Sequence, residues 1–268
     1  MSFMATWLLY TFLSVVGALA SIGLFFFVVT RGALLVRTTL GGPRSDLEHV
    51  YPVYSNRTLI QLVDFQPIIS ALLLFQYNRL VSAITSELTS MDLRDKDVMI
   101  TSCAFGTVIP RVVSTASEAG ARQLLILDVI KNELDHAREK LTAFVGQLVF
   151  LEENCTNTKV ADSSVAANVI FFLLHELPHH LKGEALKEAV RVLSPGGKLF
   201  LVEFHRPDPW LLRALSWTYF KVFEPLGLAL WDTHDPLLQL EAIGDLTCTR
   251  RTVFFGNFQI IVATKNAV

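Results

Sequence analysis

From residue 97 to the C-terminus, short apolar runs alternate with segments of helical periodicity. DVMIT (97–101), QLLILDV (123–129), QLVFL (147–151), NVIFFLL (168–174) and KLFLVEF (198–204) read as strands. Their apolar residues are nearly continuous, as expected of strands covered on both faces. Residues 107–119, NELDHAREKLTAF (132–144) and KGEALKEAVRVL (182–193) read as the intervening helices, the last ended by Ser194-Pro195-Gly196-Gly197. RTVFF (251–255) and FQIIVATK (258–265) flank Gly256-Asn257 and predict a closing hairpin. Strand–helix alternation of this kind predicts an α/β fold: a doubly wound, mostly parallel seven-stranded sheet with an antiparallel edge.

Upstream the pattern changes. Residues 1–30 carry no charged side chain, and WLLYTFLSVVGALASIGLFFFVV is long enough to cross a bilayer as a helix. Trp7 and Tyr10 lie where interfacial aromatics are expected, and Arg31, Arg37 and Arg44 precede the first acid, Asp46. This predicts a single-pass anchor over 1–30 with the rest of the chain on the cytoplasmic side. A cleaved signal peptide would have a basic segment before the apolar run. Residues 31–55 read as a polar connector and 56–96 as an apolar helical cap, in which Pro67 starts or breaks a helix. Residues 97–268 form the α/β domain. Within it, 208–236 is an insertion rich in aromatics (Trp210, Trp217, Tyr219, Phe220, Phe223, Trp231) with Arg213 and Lys221. That mixture suits a lid lying at a lipid surface.

Composition sharpens this picture. The chain of 268 residues is 51% hydrophobic and 18% charged, with mean hydropathy +0.43, so membrane contact enters the reading. A net charge of −2 gives no reason to expect nucleic acid. Cys103, Cys155 and Cys248 have no zinc-like spacing, consistent with a reducing compartment.

In a sheet of this kind ligands bind beyond the carboxyl ends of the strands. Those ends here are Ser102–Gly106, Asp128, Glu152–Asn154, His175–Glu176 and His205–Arg206. Asp128 ends the second strand, at the offset where an acid accepts ribose hydroxyls; its alternative is a helix cap. Asn154 has the donor and acceptor to pair with an adenine edge, or belongs to a solvated loop. His175, Glu176 and His205 are candidates for acid–base work or for holding a divalent metal; alternatively His175 packs at a helix entry and Glu176 caps it. Tyr54 belongs to the cap that would cover the site.

FFLLHELPHHLKGEALKEAVRVLSPGGKLFLVEFHRP (171–207) resembles the class I S-adenosylmethionine-dependent methyltransferases. FFLLHE, the PGG turn, FHRP and the following WLLRALSWTYFKVFEPLGLALW resemble, more narrowly, the rhodoquinone biosynthesis family. The resemblance implies a Rossmann-like methyltransferase fold, S-adenosylmethionine as cofactor, and a lipid-soluble quinone as substrate. For the narrower family it implies transfer of the cofactor's amino group to ubiquinone, with Mn2+ assisting. It places the methionine end against Ser102, Cys103, Ala104 and Gly106. The superfamily's acid at the end of the first strand is replaced by Ile100, and of the loop glycines Gly106 remains. Without that carboxylate the cofactor's amine is less held in its protonated form and retains the lone pair a nucleophile needs. Phe105-Gly106-Thr107 stands where the family has tyrosine, glycine and aspartate. Methyl transfer to a quinone or other lipid is the rival reaction, and a binding protein without catalysis is a second alternative.

Overall fold

A computed structural model describes residues 3–28, 51–144 and 146–267. The connector expected over 31–55, with Arg31, Arg37 and Arg44, lies mostly outside these residues. Helix α1 (Phe3–Phe27) has no charge or proline over its 25 residues. Its stretch Met4–Phe25 is long and apolar enough to cross a bilayer, a criterion that a signal sequence also meets.

The cap consists of a 3-10 turn (Pro52–Ser55) and helices α2 (Arg57–Val63), α3 (Gln66–Leu72) and α4 (Tyr77–Thr89). Asn56 starts α2 by accepting from the Thr58 and Leu59 amides at 2.9 and 3.3 Å. Pro67 sits in the first turn of α3, where its missing N–H costs nothing. Helix α4 buries Tyr77, Leu80, Val81, Ile84 and Leu88, spaced as one helical face.

The α/β domain runs β1 (Asp97–Thr101), α5 (Val108–Glu118), β2 (Gln123–Asp128), α6 (Lys131–Lys140), β3 (Leu148–Glu152), β4 (Val165–Phe171), α7 (His179–Arg191), β5 (Leu193–Phe204), α8 (Trp210–Val222), a 3-10 segment (Pro225–Trp231), α9 (Pro236–Ile243), β6 (Leu246–Val253) and β7 (Phe258–Lys265). The seven strands are ordered β3-β2-β1-β4-β5-β7-β6. β1 to β5 pair in parallel, and β7 pairs antiparallel with both β5 and β6. This is the Rossmann-like methyltransferase sheet expected from the sequence. Burial is complete along β1 and β4, so the apolar runs mark strands covered on both faces. The chain reverses its direction of travel across the sheet between β1 and β4. The crevice beyond their carboxyl ends is therefore the natural ligand position.

Three boundaries differ from expectation. β4 ends at Phe171 rather than at 174, because Phe172 has φ +55 and leaves the extended region. β5 begins at Leu193, inside the expected helix end. Leu193 pairs with Val165 and Lys198 with Ala167, so the Ser194–Gly197 stretch bulges within the strand instead of preceding it. β6 is Leu246–Val253, not 251–255, because Phe254, Phe255 and Gly256 all have positive φ and form the turn. Its alternating, half-exposed edge lacks the apolar run that marks the inner strands.

Candidate functional site

A cavity of about 380 Å³ lies over the carboxyl ends of the central strands, in the size range of small-molecule pockets. Its floor is the loop Ser102–Phe105 with Asp128, its roof is the cap and the α8 segment, and Ile22 and Gly23 of α1 close one wall. A second cavity of about 60 Å³ adjoins it, lined by Asp128, Val129, Asn154, Cys155, Leu173 and Leu177 among others. Asp128 and Glu176 border both.

The loop after β1 keeps the backbone shape of a glycine loop without the glycines. Ser102 has φ +78, a conformation that costs a side-chain-bearing residue roughly 1–2 kcal/mol. Its amide bonds the Leu127 carbonyl at 2.8 Å. Asp128 fastens the rest: its carboxylate accepts from the Cys103 amide at 2.7 Å and from the Ile130 amide at 2.8 Å. Burial raises the Asp128 carboxyl above its ordinary value, against these amides, which lower it. Ile100 is buried in the core and does not line the cavity.

Gly106 does not line the main cavity. It has φ +81, and a Cβ there would lie 2.5 Å from the Tyr77 hydroxyl. Its N–H donates to Asp64 at 2.6 Å, and its carbonyl accepts from Lys140 Nζ at 2.5 Å. Asp64 also receives Lys140 at 2.8 Å and lies 3.1 Å from His136 Nε2. This glycine lets the cap helix α4 close on the loop.

The opposite wall is a polar cluster. His175 is buried; its Nδ1 lies 3.1 Å from Glu203 Oε1, and its backbone N–H donates to Glu203 Oε2 at 3.2 Å. Its Nε2 makes an ion-pair contact of 3.0 Å with Glu224, and Glu176 is 3.8 Å away. Tyr54 donates a hydrogen bond to Glu176, and Tyr219 to Glu224 at 3.1 Å. Burial opposes charge on His175, but Glu203 and Glu224 outweigh it and raise the imidazole well above its ordinary value. Burial pushes Glu176 up to about 7, with Glu224 adding to the rise and His175 opposing it. Burial and the neighbouring Glu176 keep the Tyr54 phenol protonated. Behind the cluster, the fully buried Lys182 donates to the Leu174 carbonyl and fixes the turn that presents His175; burial lowers its ammonium to about 8.

Of the expected catalytic residues, His175, Glu176 and Tyr54 meet at this wall. His205 does not join them. Its ring Nδ1 lies 2.7 Å from the Gly256 carbonyl of the hairpin turn, and it is absent from the cavity lining. The expected metal set His175–Glu176–His205 is therefore not formed. Among the described residues, no group of three or more His, Cys, Asp or Glu is arranged to hold a metal ion. The donor set does not fit Mn2+. Ser102, Cys103, Ala104 and Asp128 line the main cavity, and Asn154 lines the small one. The Asn154 side-chain oxygen is occupied by the Thr156 amide and hydroxyl, both at 3.0 Å, leaving its NH₂ as the group free to face a ligand. Burial raises the Cys103 thiol well above its ordinary value, which argues against a nucleophilic role. Glu133, Glu203, Glu224 and Tyr219 belong to the site although sequence reading passed over them.

Solved methyltransferase-fold structures share this architecture. An O-methyltransferase family protein from Burkholderia thailandensis superposes with TM-score 0.59 at 16% identity, covering 81% of this chain and 62% of the other. A putative S-adenosyl-L-methionine-dependent methyltransferase from Methanococcus maripaludis gives 0.54 at 12% identity, covering 80% and 94%. The sequence model of the ubiE/COQ5 methyltransferase family matches residues 64–235, and the chain belongs to that family. The ubiquinone/menaquinone biosynthesis C-methyltransferase UbiE of Nitrobacter hamburgensis is 37% identical over 107 residues, 40% of this chain and 38% of the relative. That of Brucella abortus is 34% identical over 111 residues, 37% and 40%. The chain thus spans about two fifths of the length of the curated relatives it matches.

The residues present fit the family's cofactor. Asp128 borders both cavities at the end of β2, where an acid can meet a ribose; its Oδ2 also accepts from the Ser102 hydroxyl at 3.4 Å. Val129, Cys155, Leu173 and Leu177 supply apolar walls beside it.

Proposed function

We infer that this chain is a membrane-anchored, S-adenosylmethionine-dependent transferase acting on a lipid-soluble quinone, and that it exchanges a ring methoxy group of ubiquinone for an amino group to give rhodoquinone. The observation that carries this reading is the cavity itself. Its apolar lining, from Val63, Ile69, Leu72, Phe171, Phe172 and Phe204, suits a quinone ring. Its wall includes Ile22 and Gly23 of the apolar helix α1, where a long isoprenoid tail would leave for the bilayer. The α/β domain lies on the cytoplasmic side in this reading.

Asp128, Asn154 and the Ser102–Ala104 loop would hold S-adenosylmethionine, which supplies the transferred group. The protein's own part is proton management and exclusion of water. Near neutrality Glu176 is divided between its two protonation states, and Tyr54 holds it in place. His175 is held protonated, its Nδ1 toward Glu203 and its Nε2 toward Glu224 and Glu176. That pair of groups suits protonation of a quinone oxygen as negative charge develops on it. Amino transfer rests on the resemblance of FFLLHE, the PGG turn and FHRP to the rhodoquinone biosynthesis family.

C-methyl transfer is a second reading, favoured by the ubiE/COQ5 family match. Expression in a ubiquinone-making host that lacks rhodoquinone, with mass spectrometry of the lipid extract, separates the two. An aminoquinone in the extract supports the first, and a methylated quinone the second. An unchanged quinone pool with intact S-adenosylmethionine binding would favour a non-catalytic binder.

A further inference from the structure

Helix α6 carries Glu133 in its first turn. The neighbouring acid Asp135 faces solvent and pairs with Lys131 and Arg138. Glu133 instead turns inward: it is 3% exposed, and it lines the main cavity with the Ser102–Phe105 loop. Its Oε1 is buried without a hydrogen-bond partner. A buried carboxylate oxygen left unpaired is costly, and folded proteins keep such groups where a ligand completes them.

The charge balance of the lining says what kind of ligand. Asp128, Glu133, Glu176 and Glu224 face the cavity; among the described residues its lining includes no lysine or arginine, and the imidazole of His175 is already paired with Glu203 and Glu224. Lys140 on the same helix is engaged with Asp64 and the Gly106 carbonyl. A neutral quinone, served by Glu176 and His175, gives no reason for Glu133. A ligand bearing an ammonium group does, because an ammonium provides three donors and a charge to a carboxylate in low dielectric.

We propose that Glu133 binds the amino group of the adenosyl-sulfonium ligand's methionine end, supplying from α6 the carboxylate that β1 lacks at Ile100. This rests on the S-adenosylmethionine reading above. Burial together with Asp128 and Glu176 raises the Glu133 carboxyl well above its ordinary value, and an ammonium partner would draw it back toward ionisation.

The test is calorimetric titration of the full-length protein in detergent with two ligands, S-adenosylhomocysteine, which has the amino group, and methylthioadenosine, which lacks the amino-acid end. Glu133→Gln should weaken S-adenosylhomocysteine binding about tenfold or more and leave methylthioadenosine binding unchanged. A melting temperature at or above that of the wild type shows that the variant is folded. Equal losses for both ligands, or no loss for S-adenosylhomocysteine, would overturn the assignment while leaving the cofactor reading intact. Failure of the wild type to bind either ligand would overturn the cofactor reading, and this assignment with it.

Discussion

The phenol of Tyr77 occupies the volume in which any side chain at position 106 would have to begin: a Cβ on Gly106 would meet the hydroxyl at 2.5 Å and the ring at 2.7 Å. The contact joins the cap to the loop after β1, and Tyr77 also donates to the Phe105 carbonyl at 3.3 Å. Gly106→Ala adds a left-handed backbone penalty to the clash and should cost about 2–4 kcal/mol in denaturant unfolding. Shortening the partner in Gly106→Ala/Tyr77→Leu should recover the steric part and leave the backbone part. A Gly106→Ala protein as stable as the wild type would mean that the cap does not close on the loop as described.

Asp128 should behave as a structural clamp as well as a ligand group. Asp128→Ala leaves the Cys103 and Ile130 amides without their acceptor and should cost about 2–3 kcal/mol while abolishing S-adenosylhomocysteine binding. Asp128→Asn keeps one acceptor oxygen and should lose less stability than binding. Calorimetry and equilibrium unfolding of the two variants check this division.

His175 should remain protonated at neutral pH. Burial alone would discharge it, and the carboxylates of Glu203 and Glu224 hold the charge. The stabilisation is fully present below about 6.5, the ordinary imidazole value, and fades as pH rises through the elevated value of the folded state. Imidazole NMR titration should show the His175 transition move to lower pH in Glu203→Gln. A transition unmoved by that change would refute the pairing.

Glu176 makes an opposite test of burial. Its carboxyl is raised from 4.5 to about 7, so its protonated form is the one the fold favours. The stability it contributes is present below about 4.5 and is lost as pH climbs through about 7. Glu176→Gln removes this loss, so above neutrality the variant should be the more stable protein, by up to about 3 kcal/mol. Urea unfolding of both proteins across this range gives the comparison.

The outer face of α8 should touch lipid. Trp210, Leu211, Leu215 and Trp217 are exposed there, with Arg213 and Lys221 among them. In proteoliposomes of a Trp7→Phe background, lipid carrying a nitroxide near the headgroup should quench Trp210 and Trp217. It should spare Trp231, which packs against Phe220. Equal emission with and without the nitroxide would remove this face from the bilayer.

The sheet was legible because inner strands such as Gln123–Asp128 are apolar between their end residues, and Asp128 was legible because it ends one of them. Other parts of the site were hidden for separable reasons. Glu203 is one acid in the apolar run KLFLVEF, and a lone acid in the buried half of a strand was itself the signal. Glu133 lay among the charges of NELDHAREK. Helical spacing nevertheless puts it on one face with Ala137 and Leu141, both buried. Glu224 reaches His175 only through the packing of the segment after α8, which no local pattern encodes. His205 was misread because the end of a strand fixes where a residue lies but not which way its ring turns.

The place of Ile22 and Gly23 in the wall of the cavity bears on how turnover would be measured. For an acceptor delivered through that wall, the governing concentration is its mole fraction in the lipid, not moles per litre of suspension. Adding inert phospholipid at constant total acceptor should then slow the reaction, whereas diluting the whole suspension with buffer should leave the rate per enzyme unchanged.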